Sequence, residues 1–313
     1  MRHTLLILSQ DASQYQQALA NKLPDHVSML VCDNIDSVAW MQQQITLALA
    51  EPALIRPLIP QLPKLQWLQS TFAGVDALAG AHFPKACQVT GVKGIFGPLI
   101  SEYVFAHLLD YQRQLGQYRQ QQQQQLWRSH GYHSVQGMTM LIVGSGSIGQ
   151  HLAQTAKHFG LTTLGVNRSG KQIAGFDLCY PMAQLHSALS QADVVVNTLP
   201  LTSETRGLFD TQCFNHMPNH CVFFNVGRGA SVNEADLFDA LEQRQLAHAV
   251  CDVFNTEPLP ANSALWHSPY LTITPHIAAV SSPQQVAQIF LENLQRWQQN
   301  LPLLHQVDLT LGY

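Results

Sequence analysis

Charge is what this sequence has least of. Asp, Glu, Lys and Arg make up only 12% of its 313 residues, where about 25% is usual for a soluble domain. A net charge of −4 and an isoelectric point near 6.4 exclude the broad basic face that nucleic-acid binding requires, though not a small basic pocket for one phosphate. Cysteine is sparse as well. Cys32, Cys87, Cys179, Cys213, Cys221 and Cys251 are scattered and form no CxxC pair. They read as reduced and mostly buried thiols of a cytoplasmic protein, not as a disulfide framework. No apolar run approaches the ~18 residues of a membrane span. Thr4–Leu8 is too short for a signal-peptide core and reads as a first β-strand. No membrane and no nucleic-acid partner is expected. Nor is a metal, because no histidine, the pair His130 and His133 included, has ligand spacing with other ligands.

Glutamine and histidine, 36 and 15 residues, stand in for the missing charge. At about 150 residues per domain the length suggests two domains. Short apolar runs at Leu5–Leu8, Val27–Val31, Ile45–Leu49, Leu65–Gln69 and Gln88–Thr90 alternate with helical stretches such as Ala12–Leu23. That rhythm predicts a parallel sheet covered by helices. Leu99–Gln117 has helical spacing. The run Gln120–Gln125 that follows reads as a helical extension or surface loop, or as a disordered tract. Trp127 and Trp266 are expected as apolar anchors. The pattern restarts at Met140–Val143 and continues with strands at Leu161–Val166, Val194–Asn197, Val222–Val226, Ala247–Val253 and Leu271–Thr274. Helices are expected between them at Ser147–Phe159, Ala183–Ser190 and Glu234–Gln243, with a last one at Pro283–Gln299.

Gly144-Ser145-Gly146-Ser147-Ile148-Gly149 matches GxGxxG between a strand and a helix, the context in which that motif binds a dinucleotide. Gly144 permits the tight turn, Gly146 lets backbone approach a pyrophosphate, and Gly149 allows close helix–sheet packing. The helix start at Ser147 and Ile148 offers free N–H groups to the anion. About 20 residues on, an NAD site carries an acid for the ribose 2′-OH. Here the strand ends in Asn167, followed by Arg168, Ser169 and Lys171. A carboxylate would repel a 2′-phosphate and these cations attract it, so NADP(H) is the preferred cofactor, with NAD(H) possible.

Three more segments follow strands: Asn225-Val226-Gly227-Arg228-Gly229, Asp252–Pro260 and Thr274-Pro275-His276-Ile277-Ala278. Their polar residues fall where the crevice beyond the strand ends belongs. One Arg, one carboxylate and one imidazole suit 2-keto acid reduction. Arg holds a carboxylate and polarises a ketone, and His donates a proton near neutral pH.

These segments, with Asn197–Thr202, Thr205-Arg206-Gly207 and Phe72-Ala73-Gly74-Val75-Asp76, resemble the D-2-hydroxyacid dehydrogenase family in motif and order. The ending Gln306-Val307-Asp308 to Gly312-Tyr313 resembles its glyoxylate/hydroxypyruvate reductase A branch. The resemblance implies that His276 is the proton donor, Glu257 its hydrogen-bond partner, and Arg228 the holder of the substrate carboxylate and ketone oxygen. It implies that Asp252 contacts the nicotinamide carboxamide, that Leu199 and Pro200 line the adenine side, and that Thr205 and Val226 join the cofactor site. Backbone N–H groups of Gly74 and Val75 would bind the substrate carboxylate. Trp40, Phe72, Phe96 and Trp266 are candidate pocket walls. The sequence departs from the family at Asn167, at Ala278-Ala279-Val280 after His276, and at Asn233, where Asp is common.

The expected fold is α/β with two lobes: a Rossmann dinucleotide-binding domain (103–282) inserted into a flavodoxin-like substrate domain (1–102 and 283–313). Hinges are expected near 99–104 and 280–285. The expected activity is NADPH-dependent reduction of a small 2-keto acid, glyoxylate or hydroxypyruvate among them, to a 2-hydroxy acid that is D where chiral, in a homodimer. The rival is a nucleotide-sensing binding protein or corepressor on the same fold, against which Arg228, Glu257 and His276 argue together. A regulatory phosphoglycerate dehydrogenase is disfavoured because nothing follows Tyr313.

Overall fold

The computed structural model describes residues 2–38 and 42–309. Trp40 and the final residues 310–313 lie outside them. The chain divides into two compact units, one running to Ile95 and resuming at Ser281, the other Phe96–Val280.

In chain order the first unit has β1 (His3–Leu8), α1 (Ala12–Leu19), β2 (Val27–Cys32), β3 (Ile45–Ala50), α2 (Pro52–Ile55), β4 (Trp67–Ser70) and β5 (Gln88–Thr90). The second has α3 (Phe96–Gln112), α4 (Leu115–Gln123), β6 (Thr139–Val143), α5 (Ser147–His158), β7 (Thr162–Asn167), β8 (Leu178–Pro181), α6 (Leu185–Leu189), β9 (Val194–Asn197), α7 (Thr211–His216), β10 (Val222–Asn225), α8 (Glu234–Glu242), β11 (His248–Cys251) and β12 (Leu271–Ile273). Then α9 (Pro283–Gln298) returns to the first unit.

Among the described residues the first unit holds a parallel sheet ordered β2-β1-β3-β4-β5, the flavodoxin-like order. Leu6, Leu8, Ala48 and Leu68 bury one face of it in a cluster with Ile55, Leu58 and Leu78. Trp67 stacks on Phe290 of α9 at 4.9 Å between ring centroids.

The second unit holds a parallel sheet ordered β12-β11-β10-β9-β6-β7-β8, the doubly wound arrangement in which the order reverses beside the first strand. Its central strands are apolar on both sides, as strands covered by helices on both faces must be. Leu141 and Val143 of β6 join one core cluster, and Met140 and Ile142 join the other. The α/β fold with parallel sheets and a Rossmann-type unit thus stands as the sequence predicts.

Several local readings are corrected. The helix expected over Leu99–Gln117 breaks at Gln114, which adopts φ 53°. Gln120–Gln123 then lie on α4, and Gln124 and Gln125 in a turn. α1 ends at Leu19 because Ala20 is extended. β8 and α7 gave no sequence signal: β8 is a four-residue edge strand, largely unburied, and α7 is six residues long. Trp127 is no anchor, being fully exposed in the loop after α4, and Trp266 is half exposed. All six cysteines are free thiols, and all but Cys87 are buried. Among the described residues no helix is long and apolar enough to cross a membrane.

Candidate active site

Strand register brings the motifs together. Val143, Asn197, Asn225, Cys251 and Ile273 are successive partners across β6, β9, β10, β11 and β12, and each ends its strand. The residues that follow therefore emerge along one edge: Gly144, Thr198, the Arg228 loop, Asp252 and the turn to His276. Buried amides hold that edge. Asn197 Nδ2 donates to Asn225 Oδ1 (2.9 Å) and Ser231 Oγ (2.7 Å).

At the glycine-rich turn Gly144 has φ +112°, a backbone state that disfavours side chains. A Cβ on Gly149 would stand 2.1 Å from the carbonyl oxygen of Gly144, so α5 can approach the turn only with glycine there. A Cβ on Gly146 would meet nothing within 4 Å. Gly146 caps α5 without a side-chain hydrogen bond, and Gly146 and Ser147 are exposed. Open space in front of uncapped helix N–H groups fits a dinucleotide pyrophosphate.

Asn167 ends β7. Its Nδ2 donates to the Lys171 carbonyl (2.9 Å) and its Oδ1 accepts from the Ser169 N–H (3.2 Å). The loop so shaped presents Arg168 to solvent, where it pairs with Glu204 at 3.4 Å. Leu199 is buried and Pro200 and Val226 partly so. Thr205 is buried, and its hydroxyl donates to the Pro200 carbonyl (2.7 Å) and accepts from the Thr202 N–H (2.8 Å). That hydroxyl shapes its own loop.

Glu257 Oε2 lies 2.7 Å from His276 Nδ1, while Oε1 accepts from the Phe254 N–H (2.9 Å). Glu257 is thus fixed at both oxygens, and Nδ1 of the imidazole is engaged. The hydrogen bond that His276 donates to Glu257 raises the pKa of His276 above its ordinary value, and the charges of Glu257 and Asp252 add to it, against burial and the Arg228 charge. Burial pushes Glu257 up, but the hydrogen bonds from His276 and Phe254 and the charges of His276 and Arg228 outweigh it and hold the carboxyl low. Arg228 therefore acts on both partners. The backbone of its loop is pressed against residue 254, since a Cβ on Gly229 would stand 1.9 Å from the Phe254 carbonyl carbon.

Asp252 is 2% exposed. Its Oδ1 accepts from Thr274 Oγ1 (2.6 Å) and the Ile277 N–H (2.8 Å), and its Oδ2 from the Ala278 N–H (2.8 Å). Its backbone carbonyl accepts from the His276 N–H (2.8 Å). His276 itself has φ +55°, a state uncommon for a side-chain-bearing residue, which this web of bonds holds in place.

Gly74 and Val75 lie in the first unit, in the segment after β4. Phe72 is exposed and Phe96 is buried at the start of α3. Asn233 caps α8, accepting from the Ala235 and Asp236 N–H groups, as an Asp would. Among the described residues no cluster of metal-ligating side chains occurs. The sequence reading missed Glu204 and Tyr103. Glu204 immediately precedes Thr205-Arg206-Gly207, but its pairing with Arg168 depends on a loop distant in sequence. Tyr103 reads simply as core on an apolar helix.

The family model described as "D-isomer specific 2-hydroxyacid dehydrogenase, NAD binding domain" matches residues 105–278. A glyoxylate/hydroxypyruvate reductase A from Serratia proteamaculans is 38% identical over 214 residues, 68% of each chain. The crystal structure of a D-isomer specific 2-hydroxyacid dehydrogenase family protein from Aeromonas salmonicida superposes with a TM-score of 0.94 at 48% identity, over 99% of this chain and 100% of that one. An NADPH-dependent glyoxylate/hydroxypyruvate reductase from Sinorhizobium meliloti, solved with NADP and sulfate, gives 0.88 at 28% identity over 100% of both chains. The chain belongs to the D-isomer specific 2-hydroxyacid dehydrogenase family and is an oxidoreductase with a Rossmann-type nucleotide-binding unit.

Proposed function

We propose that this protein reduces a small 2-keto acid, glyoxylate or hydroxypyruvate in the first instance, with NADPH, giving a D-2-hydroxy acid where the product is chiral. The observation that carries the reading is the 2.7 Å Glu257–His276 contact set among Arg228 and the glycine-rich turn on one strand edge. When bound, the nicotinamide supplies the hydride. Arg228 holds the substrate carboxylate and polarises its ketone oxygen. His276 delivers the proton to that oxygen from Nε2, because Nδ1 faces Glu257, and Glu257 keeps the imidazole protonated. Asp252 Oδ2, which accepts from the Ala278 N–H, has lone-pair capacity for a further donor, which suits a carboxamide N–H.

NADPH preference rests on Arg168, Ser169 and Lys171 after β7, with Asn167 where an acid would repel the 2′-phosphate. It is supported by relatives solved with NADP or NADPH. We read the protein as a cytoplasmic homodimer, with Trp127, Leu126 and Tyr132 as exposed apolar groups suited to a second copy.

An NADPH-oxidation screen over glyoxylate, hydroxypyruvate, pyruvate and bulkier 2-keto acids tests the substrate, with NADH run alongside. His276→Ala should lower kcat/KM on the best substrate by ~10²–10⁴-fold. A near-normal rate in that variant, or no turnover of any 2-keto acid by the wild type, overturns the reading.

A further inference from the structure

We propose that Tyr103 and Thr274 are positioning residues for His276, acting through the carboxylate of Asp252. The inference rests on the reading of His276 as the proton donor.

Proton bookkeeping fixes the direction of the chain. An ionised carboxylate only accepts, so across the 2.6 Å contact the Thr274 hydroxyl gives its one proton to Asp252. The 2.6 Å contact between Tyr103 and Thr274 must then be donated by the phenol. Burial pushes the Tyr103 hydroxyl up, so the phenol keeps its proton. The order is Tyr103 to Thr274 to Asp252, with the N–H groups of Ile277 and Ala278 closing on the same carboxylate. Residues 274, 277 and 278 bracket His276 on both sides. What the carboxylate holds is therefore the turn that presents the imidazole in its uncommon backbone state.

The chain links separate elements. Tyr103 stands on α3, Asp252 follows β11 and Thr274 follows β12. Chained hydrogen bonds strengthen one another in a low-dielectric interior, so a hydroxyl removed at Tyr103 is felt at Asp252. The charged and titratable groups around this network are Glu257, Arg228 and Asp252 against His276, and His107 and Cys251 near Asp252 and Tyr103. His107 also packs on the Tyr103 ring at 4.5 Å. Loosening the turn weakens the His276–Glu257 hydrogen bond, the largest influence raising the imidazole's pKa.

The test compares Tyr103→Phe, Thr274→Val and Thr274→Ser with the wild type and His276→Ala. Three readouts are taken: kcat for NADPH-dependent glyoxylate reduction across pH, the NMR titration of the His276 imidazole without cofactor (assigned by difference against His276→Ala), and Tm. Thr274→Val leaves the phenol without its acceptor and removes the hydroxyl donor of Asp252, whose bonds from the Ile277 and Ala278 N–H groups remain. It should lower kcat by ~10-fold or more, as loss of one hydrogen bond to a charged group does, with KM for NADPH nearly constant. Both the alkaline limb of kcat and the imidazole titration should move to lower pH. Tyr103→Phe should do the same to a smaller degree, and Thr274→Ser should recover most of the loss. A merely structural role would lower Tm and kcat and leave the imidazole titration in place. If His276→Ala is inactive while neither Tyr103→Phe nor Thr274→Val moves that titration, the positioning role is overturned and the proton-donor reading stands. If His276→Ala keeps its rate, both fall.

Discussion

The turn that carries His276 and the loop that carries Arg168 leave the same sheet edge, yet they are held by opposite means. The His276 turn is tied to a carboxylate that is 2% exposed, although His276 and Ile277 themselves are exposed. The Arg168 loop is shaped by the half-buried amide of Asn167, and the ion pair between Arg168 and Glu204 joins side chains 63% and 72% exposed. A turn anchored in this way cannot be altered without disturbing the core. An exposed loop can change its side chains at little cost in stability. On the proposed function the reaction depends on packing and the choice of cofactor on surface residues, so substitutions in the two regions should separate stability from specificity.

The largest effect is expected at Asp252. Asp252→Leu leaves the Thr274 hydroxyl and the Ile277 and Ala278 N–H groups without their acceptor, at about 1–3 kcal/mol for each buried polar group. Urea denaturation should show a loss of roughly 3 kcal/mol or more, and reductase activity should vanish. A variant as stable as the wild type would mean that the turn is held by something other than this carboxylate, and the contrast with the Arg168 loop would collapse.

Glu257→Gln comes next and acts on titration more than on stability. Glu257 raises the pKa of His276. With His276 as the proposed proton donor, reduction needs the protonated imidazole, so activity should be present below that raised pKa and lost as pH rises through it. Without the carboxylate the pKa falls, and the alkaline limb should move to lower pH. kcat should drop by ~10-fold or more, given the 10²–10⁴ that a positioned acid contributes. Tm should change little, because the pair is partly solvated. An unmoved alkaline limb would detach Glu257 from His276 despite their contact.

The same contrast explains what could be read from the sequence. Both sheets, the glycine turn and the three segments beyond the strands were legible, because buried parallel strands leave continuous apolar runs such as Met140–Val143. Side-chain identity at a strand end is also chemistry in plain view, as at Arg228, Glu257 and His276. Tyr103 was not legible. It occupies an apolar position on α3, and only the fold brings it to Thr274. Trp127 was misread for the converse reason: an indole predicts burial, but the loop after α4 has no core beneath it. Edge strand β8 left no periodicity because it is short and largely unburied.

Arg168→Ala probes the exposed loop. Losing one charge-assisted contact to a 2′-phosphate costs about 1.5–3 kcal/mol, so KM for NADPH should rise by ~10-fold or more, with Tm and the NADH constants nearly unchanged. A parallel rise for NADH would show that Arg168 supports the loop rather than the phosphate. Asn167→Asp should lower the NADPH preference further. It places a carboxylate at the ribose end and turns the donor to the Lys171 carbonyl into a repulsive contact.

The smallest effect, and the one with the least obvious sign, belongs to Glu204. Its carboxylate pairs with Arg168 across 3.4 Å, so a 2′-phosphate bound as proposed would have to displace it or share the guanidinium with it. Exposed pairs are worth about 0–1 kcal/mol, so Glu204→Gln should lower KM for NADPH by at most ~5-fold. The gain should shrink at high salt, because screening weakens both the pair and the repulsion it removes. NADH, which has no phosphate to compete, should be unaffected. A rise in KM for NADPH would reverse the sign: Glu204 would then be orienting Arg168 toward the phosphate rather than competing for it. In that case even this exposed loop would be preorganised, and the difference from the His276 turn would be one of degree.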